Sequence, residues 1–248
     1  MTTSDERNPY QPPRAALDAE RLIASPAGSF DDAIAGRYDF RIGEVMSEAW
    51  GLVSGFKGPF WGAAVLTYGL LFCVTYVWRL VFGGGLNVVA GFLVQAAITA
   101  LMRPLLVGLV AMAVRRAAGL PVRFSMAFSY LHRAPVFIVA GFLTTALTYV
   151  GLVFFLIPGI YLSIAYGMTF PLLAFNELGA WEAMEASRKA ITHHWWRVFF
   201  LYMAVGLLTG LSALAILIPL IWTAPWALLV LGVLYRRMFG VPADAVTS

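Results

Sequence analysis

Long stretches of this 248-residue chain lack charged and amide side chains altogether. The longest covers residues 134–175, where 42 consecutive positions contain no Lys, Arg, His, Asp, Glu, Asn or Gln. Only 12% of the chain is charged, compared with about 25% in soluble domains. A soluble core needs no apolar run of that length, whereas a helix that spans a bilayer needs about 20 apolar residues. The sequence therefore predicts a polytopic membrane protein.

Cysteine is almost missing, and no pattern of metal ligands takes its place. Cys73 is the single cysteine and lies in an apolar run, so no disulfide can form within the chain, and a buried lone thiol is usually inert. His193 and His194 are adjacent, so they point to different faces of a helix, and no acidic cluster completes a site. We therefore expect no metal and no cofactor.

Motifs for catalysis or nucleic-acid binding are also lacking. The sequence contains no Gly-rich phosphate loop, no Ser-His-Asp arrangement and no His-Glu-x-x-His motif. Glu182 and Glu185 could act as acid and base, but Arg188 and Lys189 follow them in the order that suits a solvated helix face. The net charge of +4 comes without a basic helix or an aromatic-basic strand. We therefore assign no catalytic residue and expect neither enzymatic activity nor a nucleic-acid partner.

The chain divides into a membrane domain and two tails. Residues 1–38 are rich in Pro and charge, carry no signal-peptide core, and are predicted to form a disordered cytoplasmic tail or a short motif for a cytoplasmic partner. Residues 39–240 form the membrane domain, and residues 241–248 form a short C-terminal tail. Six membrane spans are predicted within the membrane domain, at about 60–78, 86–114, 136–156, 160–175, 198–217 and 222–235.

The predicted fold is all-α, with three hairpins that are each preceded by an amphipathic surface helix. The surface segments cover residues 43–56, 123–133 and 179–194. Pro158-Gly159 is the predicted turn between spans three and four. Pro104 interrupts the second span, so we expect a kink there, because proline removes a backbone donor and clashes one turn back.

Positive charge predicts the orientation of the chain. Lys and Arg number six up to residue 57, four in residues 115–133, three in residues 177–197 and two at the C-terminus, and apart from Arg79 none lies near a hairpin turn. Cytoplasmic segments carry this excess, so both termini should be cytoplasmic. Tryptophan side chains prefer the membrane–water interface, and five are assigned there: Trp50, Trp61, Trp181, Trp195 and Trp196.

Arg103 is a charged side chain that the predicted topology places inside the hydrocarbon of the bilayer. It lies 12 residues before Arg115, or about 18 Å along a helix, where a charged side chain costs about 2.5–3.5 kcal/mol. It could snorkel to the headgroups or bond backbone freed by Pro104, or it could hold an anionic headgroup or substrate. Gln95 is the second residue of this candidate ligand site, and the other polar candidates nearby are Asn87, Asn176 and Glu177.

Gly206 and Gly210 have the spacing of a glycine pair that lets two membrane helices approach closely. The spacing predicts packing within the bundle or between two copies of the chain. A homo-oligomer and a membrane-protein partner therefore both stand as expectations.

Two stretches resemble a known group of proteins. The first is Gly-Glu-Val-Met-Ser-Glu-Ala-Trp at residues 43–50, followed by Phe-Lys-Gly-Pro-Phe-Trp at residues 56–61. The second comprises Pro158, Gly159, Ile160, Tyr161, Pro171, Ala180, Ala183, Ser187, His194 and Trp195. They resemble an uncharacterised family of bacterial six-helix membrane proteins, akin to the membrane domain found beside some glycerophosphodiester phosphodiesterases. The resemblance implies a bacterial cytoplasmic membrane location and a lipid-related role, and it carries no catalytic residue onto this chain.

Together these features predict a non-enzymatic inner-membrane protein, either a scaffold or an envelope and lipid-homeostasis factor, that contacts anionic lipid or a partner. The alternative is a transporter or flippase for a lipid-like or amphipathic anion, which Arg103 and the proline-broken spans favour.

Overall fold

The computed structural model describes residues 28–82, 88–215 and 218–242, and in this part of the chain the secondary structure is entirely helical. The all-α prediction is confirmed. The helices are α1 Phe30–Ile34, α2 Ile42–Leu52, α3 Lys57–Phe82, α4 Val88–Leu101, α5 Arg103–Ala117, α6 Ala134–Phe154, α7 Leu156–Ala165, α8 Thr169–Phe175, α9 Ala180–His193, α10 Trp195–Leu214 and α11 Leu220–Phe239. Two short 3-10 turns, Phe124–Phe128 and Leu131–Arg133, precede α6.

Among the described residues, four helical segments are long and apolar enough to cross a membrane. They are Lys57–Phe82, Phe124–Phe154, Leu156–Phe175 and Trp195–Leu214. The six predicted spans therefore reduce to four on this criterion. The second predicted span is divided into α4 and α5, of 14 and 15 residues, and the sixth lies within α11, which carries Arg236 and Arg237 in its last turn.

The interruption predicted at Arg103-Pro104 is present, but it is a break between two helices and not a kink within one. Helix α4 ends at Leu101 and α5 begins at Arg103, with Met102 between them. Pro104 occupies the first turn of α5, where a missing backbone N–H leaves no intrahelical hydrogen bond unmade. The proline therefore starts a new helix and does not simply bend an old one.

The turn between α6 and α7 differs from the prediction. It lies at Phe155, which adopts an extended backbone conformation, and Pro158-Gly159 lies inside the first turn of α7. Proline is tolerated there for the reason given for Pro104. A Cβ on Gly159 would lie 2.4 Å from the backbone nitrogen of Leu152, so this glycine permits a close approach of α6 and α7.

Part of the predicted N-terminal tail is folded. Ser29 caps α1 by accepting a hydrogen bond from the backbone of Asp32, and Ala33 is fully buried. Tyr38 is buried too, and its hydroxyl donates to the carbonyl of Ala190 at 2.9 Å. The cap orders the N-terminal segment locally, and the hydrogen bond of Tyr38 attaches it to α9. Residues 1–27 of the predicted tail and residues 243–248 of the C-terminal tail lie outside the described residues.

The centre of the molecule is formed by α5 and α11. Eleven of the fifteen residues of α5 and eleven of the twenty residues of α11 are buried. The two helices meet at Gly232, where a Cβ would lie only 2.5 Å from the carbonyl oxygen of Ala113. The segment before α6 also packs here, because a Cβ on Gly108 would lie 2.2 Å from the carbonyl oxygen of Ala127. This middle segment forms the 3-10 turns in place of the predicted amphipathic surface helix.

The other two predicted surface helices pack on protein along one side. Helix α2 buries Val45, Ala49 and Leu52, and α9 buries six residues that include Ala183 and Ala190. By contrast, only 6% of the apolar window of α3 and 11% of that of α10 is buried. The fold thus combines a packed layer, formed by α2, α5 and α11, with the exposed helices α3 and α10, whereas α9 packs mainly against α6, α7 and α8.

Candidate functional site

Arg103 lies half-buried at the start of α5, among neutral groups of α6 and α8. Its Nη2 donates a long hydrogen bond of 3.5 Å to the hydroxyl of Thr145. Its guanidinium carbon lies 5.2 Å from the ring centroid of Phe170, a cation–π distance. Gly141 makes room for the side chain, since a Cβ there would lie 3.2 Å from Cγ of the arginine. Its buried Nε has no hydrogen-bond partner among the residues described.

The hydrogen bond of the guanidinium goes to a residue that the sequence did not nominate. Thr145 lies 42 positions after the arginine, and the only signal for it was a hydroxyl in an otherwise apolar run. The predicted partner Gln95 is half-buried on α4. Asn176 donates to the hydroxyl of Tyr235 at 3.0 Å, and Glu177 is exposed. The remaining candidate, at position 87, lies outside the described residues.

An apolar groove lies between α3, α5, α10 and α11, with a volume of about 1,110 Å³. We call it the apolar groove, and its walls include Phe60, Tyr68, Leu109, Val205, Gly206 and Leu228. Helices α5 and α11 are largely buried, whereas α3 and α10 are largely exposed. The groove therefore has a floor in the packed layer and rims on two of the candidate membrane-spanning helices.

One end of the apolar groove carries polar and aromatic groups. The indole nitrogen of Trp61 donates to the carbonyl of Ile221 at 3.1 Å and so ties α3 to α11. One turn earlier on α3, the ammonium of Lys57 lies 5.1 Å from the ring centroid of Trp222. In the part of the chain that the structure describes, Lys57 takes part in no ion pair.

A buried ion-pair cluster joins α2 to the C-terminal end of α11. Arg236 is only 3% exposed, pairs with Glu48, and donates to the carbonyl of Ala117. Arg237 reaches Glu48 at 2.8 Å and Glu44 at 3.1 Å. The sequence marked these arginines only as the end of a span. The only sequence feature that pointed to their partners was the spacing of Glu44 and Glu48, at i and i+4 on a short helix distant in the sequence.

Charged groups on α9 form a second, more exposed cluster. Glu185 pairs with Arg188 at 2.7 Å and with Lys189 at 3.6 Å, which confirms the predicted i,i+4 pair. The hydrogen bond from Arg188 holds the pKa of the Glu185 carboxyl below its usual value. Glu182 accepts a hydrogen bond from the backbone of Gly179 at 2.9 Å, and this closes the N-terminus of the helix. These contacts serve the helix and leave no acid–base pair facing a cavity.

The two adjacent histidines bind backbone and hold the N-terminal segment. Nε2 of His193 lies 3.1 Å from the carbonyl of Ile34, and Nε2 of His194 lies 3.3 Å from the carbonyl of Gly36. Residues 34–36 are therefore attached to the C-terminal end of α9. No group of three or more metal-ligating side chains occurs within the described ranges.

The tryptophans assigned to the membrane interface differ in exposure. Trp50 and Trp181 are exposed, at 53% and 61%, and Trp196 is exposed at 66%. Trp61 and Trp195 are half-buried, and the indole of Trp195 donates to the carbonyl of Tyr161 at 3.2 Å. Their place at a membrane interface stays a prediction.

Gly206 and Gly210 make no close helix contact within the described chain. A Cβ added at either position would meet no atom within 4 Å. The reason is that α10 stands apart from α3 across the apolar groove, which Gly206 lines. Packing between two copies of the chain stays a prediction.

Comparison with known proteins adds no identity to this geometry. No protein-family model, no curated protein and no solved structure matches the chain.

Proposed function

We propose that this chain is a non-enzymatic six-span protein of the bacterial cytoplasmic membrane, with both termini cytoplasmic, that acts as a scaffold or lipid-homeostasis factor by contacting anionic lipid. The proposed kinship with the family of six-helix bacterial membrane proteins agrees with such a role. The observation that supports it most is the distribution of ion pairs, which leaves particular cations free for another anion.

Most acidic groups that the structure describes are already paired within the chain. Their ion pairs involve Asp32, Asp39, Glu44, Glu48 and Glu185. Within the same residues Lys57, Arg103 and Arg123 form no ion pair, although each borders a candidate span or lies near one. Basic groups near a membrane surface attract anionic lipid by about 1 kcal/mol each.

Six crossings agree with the arrangement of the helices. Besides the four candidate spans, α4 and α5 follow each other across a single residue, and α11 is 20 residues long. An even number of crossings returns the chain to the side on which it began. Accessibility tags placed in residues 115–133 should report the cytoplasm, and tags in residues 83–87 should report the outer side. The reverse pattern, or an odd number of crossings, would refute the topology.

The lipid role is tested by extraction into nanodiscs without detergent. We expect the purified discs to be enriched in phosphatidylglycerol relative to discs of a size-matched membrane protein from the same cells. The mass of the complex distinguishes a single copy, a homo-oligomer and a complex with another membrane protein. A lipid composition equal to the bulk membrane, with no co-purifying protein, would end this proposal.

A transporter or flippase for an amphipathic anion is the second candidate, because Arg103 stands at a helix break and contacts the neutral side chains of Thr145 and Phe170 within the described residues. Its test is the rate at which proteoliposomes move a fluorescent anionic lipid between leaflets. Arg103→Leu should abolish movement, Arg103→Lys should retain part of it, and Lys189→Leu on the exposed side of α9 is the control. Equal rates for empty and protein-containing vesicles would remove this candidate.

A further inference from the structure

We propose that the apolar groove binds an acyl chain of an anionic phospholipid from the surrounding bilayer, with the lipid phosphate held by Lys57. This inference rests on the proposed function and names the site at which the lipid binds. It is argued from the size of the groove, its rims, the charge at one end and two glycines in its walls.

The size and lining of the apolar groove suit a hydrocarbon chain. Its volume of about 1,110 Å³ slightly exceeds the range of about 300–1,000 Å³ for ligand pockets. Leu109 and Leu228 on the floor, together with Phe60 and Val205 on the walls, present apolar atoms. Water would form few hydrogen bonds in such a site, whereas a methylene chain gives up no hydrogen bond by entering it.

The rims decide where the occupant comes from. Helices α3 and α10 are both candidate membrane-spanning segments, and their apolar windows are 6% and 11% buried. In a bilayer, the opening between them faces hydrocarbon. A lipid chain can therefore enter sideways from the membrane, whereas a soluble ligand would have to cross the headgroups first.

Charge at one end selects the headgroup. Lys57 begins α3 and lies one turn before Trp61, so both side chains lie on the same side of that helix. Its ammonium contacts the ring of Trp222 and no carboxylate among the described residues. Indole rings are enriched at the level of lipid headgroups. A phosphate at this end would neutralise the lysine while its acyl chain runs along α3 toward Gly69.

Two glycines leave the apolar groove open. Gly69 on α3 and Gly206 on α10 line it, and a Cβ at either would meet no atom within 4 Å. A larger side chain at these positions fits the fold but fills the space of the acyl chain. Gly210 lies one turn further along α10 with equally open surroundings and does not line the groove, so it provides a matched control.

The experiment is native mass spectrometry of the full chain released from nanodiscs that hold equal amounts of phosphatidylglycerol and phosphatidylcholine. The wild type should retain one phosphatidylglycerol preferentially. Gly206→Leu and Gly69→Leu should each lower that retention about tenfold, because a blocked groove loses several methylene contacts, and Gly210→Leu should match the wild type. Two variants on opposite walls are used so that the test remains valid if one of them does not fold. Their unfolding midpoints are measured in parallel.

The headgroup is tested with Lys57→Gln, which should retain a lipid while losing the preference for phosphatidylglycerol. Lys189→Gln removes one exposed positive charge on α9 and should leave the preference intact. Preferential retention that all variants share would disprove the groove site but leave the proposed function standing. A wild type that retains the two lipids equally holds annular lipid only, and that result would overturn both.

Discussion

Helices α10 and α11 are consecutive, have the same length of 20 residues, and have very different surroundings. Two residues of α10 are buried, Val198 and Leu201, whereas eleven residues of α11 are buried. The difference in burial comes from the contacts that neighbouring helices make with α11 and do not make with α10. Gly232 of α11 admits the backbone of α5, and Arg236 receives a glutamate from α2, whereas Gly206 of α10 faces open space. The apolar composition of a helix therefore does not tell whether its side chains pack against protein or stay exposed.

The largest effect is expected where the packed layer buries charge. Glu48→Ala removes the carboxylate that pairs with Arg236, whose side chain is 3% exposed. Breaking a buried pair by removing one partner costs about 3–5 kcal/mol, because the remaining charge is desolvated. We expect a loss of about 3 kcal/mol in the free energy of unfolding, measured by denaturant titration in micelles.

Glu44→Ala is the matched control, on the same helix and in the same cluster. The Glu44 side chain is 51% exposed, so its loss should cost less than about 1 kcal/mol. Equal small losses for both variants would show that α2 is not fastened to α11 by this cluster.

The next largest effect is expected from Gly→Ala substitutions, which we compare at tightly packed and at open helix positions. Gly232→Ala places a Cβ 2.5 Å from the carbonyl oxygen of Ala113, where backbone must shift. Overpacking of this kind costs about 1–3 kcal/mol. We expect a lower thermal midpoint for this variant, and Gly108→Ala should behave similarly, since its Cβ would lie 2.2 Å from the carbonyl oxygen of Ala127.

The same change on the exposed side should have the opposite sign. Gly210→Ala adds a methyl group to α10 with no atom within 4 Å, and it restricts the unfolded chain. Alanine is favoured over glycine in a helix interior by up to about 1 kcal/mol. The thermal midpoint should therefore rise slightly. A fall comparable to that of Gly232→Ala would mean that α10 packs against something, such as a second copy.

The smallest effect depends on pH. Arg188 lowers the pKa of Glu185 in the folded protein, so the pair stabilises the fold above the unfolded pKa of about 4.3 and is lost as the pH falls through the lowered value. The pair is partly exposed, so its contribution is below about 1 kcal/mol. Glu185→Gln should lower the unfolding midpoint at pH 7, and its difference from the wild type should shrink as the pH falls below the unfolded pKa. A difference that stays constant over this range would point to lost packing.

The local features of the fold could be predicted from the sequence. The first span is predicted from about residue 60 and α3 begins within one turn of it, at Lys57; Arg103-Pro104 marks the division between α4 and α5, because proline and charge act within one helical turn. The turn at Phe155 escaped because Pro158 fits equally well in a turn and in the first turn of a helix. Which of these two positions the proline takes depends on contacts with residues distant in the sequence.

The packing and the site depended on distant partners. The sequence predicts α2 as an amphipathic helix at the membrane surface, whereas the structure buries Val45 and Ala49 against protein, and the same residue types serve both purposes. Gly206 has the spacing that predicts a close helix contact and Gly108 and Gly232 do not, yet only the last two admit a neighbouring backbone. Thr145 meets Arg103 only because α6 packs beside α5. Periodicity along one helix contains none of this information.

The claim that α3 faces lipid can be tested with the single native cysteine. Cys73 is exposed on α3, 16 residues from its start, which is about 24 Å along the helix. In intact membranes it should resist a water-soluble maleimide and react fully after denaturation in SDS, while a cysteine introduced at the exposed loop position Ser54 reacts in both states. Rapid labelling of Cys73 in intact membranes would contradict the account.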